Sequence, residues 1–91
     1  MFASDVKDMA VYSKDMVNLG KVKDLEFDPS EMKVTNIIVE FPKEVAKDLL
    51  GKRLVIRRAK GRVPVSSVDS IKDALNLKLD RKDLKDKFTS L

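Results

Sequence analysis

The chain has 91 residues, 37% of them charged and 43% hydrophobic, with 19 bases against 15 acids for a net charge of +4. It has neither cysteine nor histidine, which excludes disulfides, thiolate chemistry and imidazole-based catalysis or metal binding. With no run of about 18 apolar residues and no signal-peptide layout, it reads as one small, soluble, cytoplasmic domain (residues 1–91) with a modest core and no membrane span.

In chain order, Ser4-Asp5 suggests a turn, with Val6 and Met9 packing inward ahead of a short strand over Ala10, Val11 and Tyr12. Ser13, Lys14 and Asp15 turn the chain, and Met16, Val17 and Leu19 lead into the stretch NLGKVKDLEF, residues 18–27. A regular strand keeps its apolar residues on one parity, yet Val22 is even while Leu25 and Phe27 are odd. A bulge at Lys23-Asp24 resolves this, because one extra residue re-aims the strand, and the Asp24 carboxylate can then satisfy backbone donors at the bulge. Gly20 lets the backbone bend or a neighbour approach closely. A bent, twisted strand of this kind is what a small closed barrel needs.

Asp28, Pro29, Ser30 and Glu31 form a turn, and VTNIIVEF, Val34 to Phe41, is the strongest strand, with Ile37, Val39 and Phe41 on one face. It pairs with the preceding strand as a hairpin, and at a sheet margin it would invite edge pairing. From Pro42 to Leu50 the period becomes helical through Val45, Ala46, Leu49 and Leu50, with Gly51 as the C-cap, so a short helix plugs one end of the sheet. Leu54, Val55 and Ile56 read as a strand, Ala59 to Arg62 as its hairpin turn, and Val63 and Val65 as the return, with Pro64 at an edge. Ser66 to Ser70 turns the chain again, and Leu75, Leu77 and Leu79 alternate as a further strand; a helix through Ile71, Ala74 and Leu75 is the alternative, but Lys78 spoils its stripe. Asp80 is a good N-cap for a short helix over about 80–88, with Asp83 in its first turn, Leu79 stapled to Leu84, and a ridge of Leu84 and Phe88. The expected fold is mainly β: a small β-barrel of about five or six strands over about 9–79, one short helix before a basic hairpin, and a short C-terminal helix.

The charge is unevenly placed. Lys52, Arg53, Arg57, Arg58, Lys60 and Arg62 fall in eleven residues with no acid, which leaves 13 bases against 15 acids elsewhere. Such density can grip phosphates, meet an acidic protein surface, or simply be solvated, and no aromatic residue lies within the cluster to stack on bases. Asp24, Glu26, Asp28 and Glu31 could offer oxygens to a hard cation, but their spacing lacks the calcium-loop glycine and they read as a solvated strand face, with no metal expected. Ser66 and Ser67 have no base at nucleophile spacing and read as turn residues, and Tyr12 as a wall residue, so no catalytic residue and no cofactor are assigned. Met1, Phe2, Met16 and the carboxy-terminal Leu84, Phe88 and Leu91 either mark a docking surface, or the terminal helix simply closes the barrel's open end.

The phrases VYS…NLGKVKDLEFD, VTNIIVEF and VPVSSVDSIKDALNL resemble the PRC-barrel family, whose pattern is a turn glycine, then L-G-K-V-x-D-L, a strand, and later a V-P-x-S-x-V step. Leu19, Gly20, Val22, Asp24 and Leu25 match the first motif; Pro64, Ser66 and Val68 match the second. The usual glycine of the first turn is replaced by Lys14-Asp15-Met16. The resemblance implies a non-catalytic interaction module. Family members occur in the photosynthetic reaction-centre H subunit, in a ribosome-maturation factor and as free-standing archaeal proteins, and this chain looks most like the last. Some of those are adaptors of the FtsZ-based division machinery that bind its membrane anchor SepF. The resemblance therefore implies a SepF-like anchor or a paralogous PRC-barrel protein as partner, a homo- or hetero-oligomer, and a place at the division site. The alternative is an RNA-associated, ribosome-maturation-like module that uses the basic stretch 52–62.

Overall fold

The computed structural model of the protein describes residues 1–50 and 59–90. In chain order these form α1 (Ala3–Val6), β1 (Ala10–Tyr12), β2 (Asn18–Asp28), β3 (Lys33–Phe41), α2 (Lys43–Leu50), β4 (Ala59–Pro64), β5 (Val68–Ile71), β6 (Leu75–Leu77) and β7 (Thr89–Ser90), with 3₁₀ segments at Val65–Ser67 and Arg81–Asp86. The strands make one mainly antiparallel sheet in the order β5-β6-β1-β2-β3-β4-β7, in which only the β1–β6 pair is parallel.

The change of parity in β2 has the expected cause. Val22 lies opposite Val39 and Asp24 opposite Ile38, so Lys23 is an extra residue, and Asp24 Oδ1 accepts the Leu25 N–H at 2.7 Å. A second irregularity follows. Glu26 faces Asn36 and Phe27 faces Val34, which leaves Thr35 unmatched; its hydroxyl donates to the Glu26 carbonyl at 3.3 Å. Each added residue shifts which face a side chain meets, so Val22, Leu25, Phe27 and Val34 come to line the same side of the hairpin. The kinks also let the amino-terminal segment pair with β2: Val22 N–H donates to the Met9 carbonyl at 2.9 Å and Asp8 N–H to the Val22 carbonyl at 2.8 Å.

Side chains from five strands, α1, α2 and the second 3₁₀ segment meet in one apolar cluster, with Val11, Leu19, Val22, Val39, Phe41, Val63, Leu75 and Leu84 fully buried. One face of the sheet thus wraps a common core. Gly20 permits the tightest approach. Its φ is +145°, and a Cβ there would collide with the Glu40 carbonyl oxygen on β3.

Several expectations change. The Ser4-Asp5 turn is the helix α1, whose Asp5 carboxylate accepts the Phe2 N–H at 2.8 Å. Ala59 to Arg62 is not a hairpin turn but the start of β4, because its partner across the ladder is β3. Val65 is 41% exposed in a 3₁₀ turn rather than in a return strand, and Val68 to Ser70 belongs to β5. The carboxy-terminal helix is the short 3₁₀ segment, with Asp80 at its N-cap and no side-chain cap bond from it. The strand VTNIIVEF is central, between β2 and β4, and offers no margin for pairing. The mainly β, barrel-like fold expected from sequence is as found, although among the described residues the sheet's edges, β5 and β7, are not paired with each other. Gly51 and the strand expected over Leu54 to Ile56 lie outside the described residues.

Candidate interaction surface

The basic cluster divides. Lys52, Arg53, Arg57 and Arg58 lie outside the described residues, while Lys60 and Arg62 alternate along β4, opposite Glu40 and Ile38. Arg62 is spent on the fold: its guanidinium donates to Glu26 Oε2 at 2.9 Å, and the Asn36 amide donates to Glu26 Oε1 at 2.8 Å. This bridge runs across three neighbouring strands on the sheet's second face, beside Ile38, which is 7% exposed yet stands outside the main core cluster. Lys60 is exposed.

Leu84 and Phe88 do not project outward. Leu84 is fully buried, and the Phe88 ring packs edge-on against Phe41 with centroids 4.9 Å apart. The terminal segment covers the core, which is the second of the two readings of these residues. β7 then returns the chain to β4, with Thr89 opposite Arg62.

The remaining motif residues serve the framework. Leu19 and Val22 are fully buried, Leu25 packs partly against the core, and Pro64 ends β4 opposite Asn36. Ser66 is exposed, Ser67 is buried with its carbonyl accepting the Lys78 N–H at 2.8 Å, and Val68 pairs with Leu77. The acids of the opening hairpin each have a separate neighbour. Asp24 caps the bulge, Glu26 holds Arg62, Asp28 accepts from the Ser30 hydroxyl and N–H, and Glu31 faces Lys33 at 3.7 Å. The Ser30 bonds hold the Asp28 carboxyl below its ordinary range. Among the described residues, no three or more acids are gathered as a metal set would require.

A second carboxylate anchors the opposite turn. Asp15 Oδ1 accepts the Ser13 hydroxyl at 2.5 Å and the Arg81 N–H at 3.1 Å, and Lys14 N–H donates to the Leu79 carbonyl at 2.8 Å. The Ser13 hydroxyl, followed by the Arg81 N–H, keeps the Asp15 carboxyl below its ordinary value. This turn holds the segment that carries Leu84.

With Arg62 and the hairpin acids engaged, the exposed apolar side chains are the remaining surface feature among the described residues. Met1, Phe2, Met16 and Met32 are each more than two-thirds exposed, and Phe27 is 52% exposed. Sequence parity points Phe27 inward; it does sit on the inner side of the hairpin, but β2 and β3 run past the core there. A groove of about 350 Å³ opens between α1 and this far half of the hairpin, lined by Ala3, Ser4, Lys7, Val22, Asp24, Leu25, Phe27 and Val34. No sequence signal locates it, since it depends on α1 and on two bulges.

Among the described residues, no helix is long and apolar enough to cross a membrane. No curated protein matches the chain. The PRC-barrel domain matches residues 1–84, which takes in every element from α1 to the core residue Leu84. Domains of this kind are generally non-enzymatic modules that mediate protein interactions. The mainly β sheet, the bulged second strand and the family match agree, and the chain belongs to the PRC-barrel domain family.

Proposed function

We propose that this protein is a non-catalytic adaptor of the free-standing archaeal type, which joins a SepF-like division anchor or a paralogous PRC-barrel protein to the FtsZ-based machinery at the division site, as a homo- or hetero-oligomer. The observation that carries the reading is the family match over residues 1–84. The distribution of side chains among the described residues supports it: Arg62, Glu26, Ser13 and Asp15 are tied to the fold, whereas several large apolar groups face outward. The RNA-associated reading has less to draw on in the described part of the basic stretch, where Arg62 is held by Glu26 and Ala59 to Arg62 is a strand inside the sheet.

A pull-down from an archaeal lysate, read by mass spectrometry, tests the proposal. Recovery of the FtsZ membrane anchor or a second PRC-barrel protein is the expected result. Recovery of ribosomal precursors, with a mobility shift of RNA at low salt, would replace this reading with the RNA-associated one.

A further inference from the structure

Resting on the adaptor reading, we propose that the groove between α1 and the far half of the β2–β3 hairpin receives a peptide segment of a partner protein that carries one large apolar side chain with a carboxylate close beside it. Four observations converge. The floor is apolar, formed by Val22, Leu25, Phe27 and Val34, and the bulges at Lys23 and Thr35 are what bring these four to one side. Phe27 nevertheless keeps half of its surface in water, an arrangement that a hydrophobic partner group would relieve.

Size narrows the occupant. At about 350 Å³ the groove lies at the low end of ligand sites, which run from roughly 300 to 1,000 Å³. That suits one or two side chains of a peptide and leaves little room for a cofactor.

Charge narrows it further. Of the charged residues on and just after α1, Asp5 accepts the Phe2 N–H and Asp8 faces Lys21 at 3.8 Å. Lys7, at the groove's rim, makes no ion pair among the described residues. On the facing wall, Asp24 already accepts a backbone N–H from Leu25. The groove therefore holds an engaged carboxylate and an unmatched ammonium, and an incoming acid completes Lys7. An anchor plus an adjacent charge also fixes the direction in which a peptide lies.

The test is selection of short random peptides displayed on phage against the full chain, followed by titration of a chosen synthetic peptide. Enriched sequences are expected to share a Phe, Leu or Trp with Asp or Glu close by. Binding should weaken about tenfold in Phe27→Ser and fall in Lys7→Glu, and Lys7→Glu should regain affinity for the same peptide when its acid is replaced by Lys. Phe27→Ser is expected to stay folded, with an unchanged dispersed amide spectrum, so its loss of binding reports the groove. Absence of enrichment, or peptides indifferent to Phe27→Ser, overturns the proposal. So does light scattering that shows a dimer converted to monomer by Phe27→Ser, since a second copy would then fill the groove. If Phe27→Ser still captures the wild-type partners from lysate, the groove is wrong while the adaptor reading survives; if wild type captures no partner at all, the adaptor reading fails first.

Discussion

The two ends of the β2–β3 hairpin are built from the same strands and meet opposite fates. At one end Leu19, Val39 and Phe41 are fully buried, Gly20 lets the strands press together, and Leu84 and Phe88 arrive from the carboxy-terminal segment to cover them. At the other, about 23 Å further along β2 by strand rise, Phe27 is half exposed and Val34 packs only partly against the core, with the single turn of α1 beside them, and a groove remains. The difference teaches that strand composition does not decide burial here. What decides it is whether another element reaches that far, and each end owes its state to a segment distant in sequence.

The largest effect expected from this contrast is at the covered end. Phe88→Ala removes the ring packed on Phe41 and should cost about 3–5 kcal/mol in urea unfolding; a loss below about 1 kcal/mol would mean that Phe88 is not a core residue. Gly20→Ala comes next, at about 3 kcal/mol, because a positive φ and a collision with the Glu40 carbonyl oxygen act together. Its melting temperature should fall well below that of wild type, and an unchanged value would deny the close approach. At the open end, Phe27→Ser should change stability by less than about 1 kcal/mol, and a core-sized loss there would erase the contrast between the ends.

The smallest effect is expected at Asp15, and it is best seen in its pH dependence. Its carboxyl is held below the ordinary value of 3.8, chiefly by the Ser13 hydroxyl and then by the Arg81 N–H. A depressed acid stabilises the fold above its unfolded value, and that contribution is lost as pH falls through the folded value. Asp15→Asn should therefore be less stable than wild type at neutral pH, and the two melting curves should converge as the pH is taken below 3.8. A gap that persists unchanged in acid would separate the turn's stability from this ionisation.

Much of this fold can be read from residue order. The parity break between Val22 and Leu25 locates the Lys23 bulge, the β-branched run locates β3, and the period change after Pro42 locates α2. The start of β4 is missed because Lys60-Gly61-Arg62 has the composition of a turn, although Gly61 sits opposite Val39 in a ladder where tertiary pairing outweighs local preference. β5 is missed for the same reason, its Asp69 and Ser70 resembling loop residues. Of the surface, less is legible. Arg62 reads as a partner-facing base until Glu26, distant in the chain, is brought within 2.9 Å, and Phe27 reads as core until the strand is seen to outrun its cover.

The β-branched segment VTNIIVEF, of the composition that favours cross-strand assembly, is held between β2 and β4, with Asn36 to Glu40 paired on both sides. The strands left at the margins are poor templates: β7 is two residues long, and β5 has four with an irregularity between Val68 and Ser70. Copies crowded together are thereby discouraged from zipping into endless ribbons, and release of β4 is the event that would lift the safeguard.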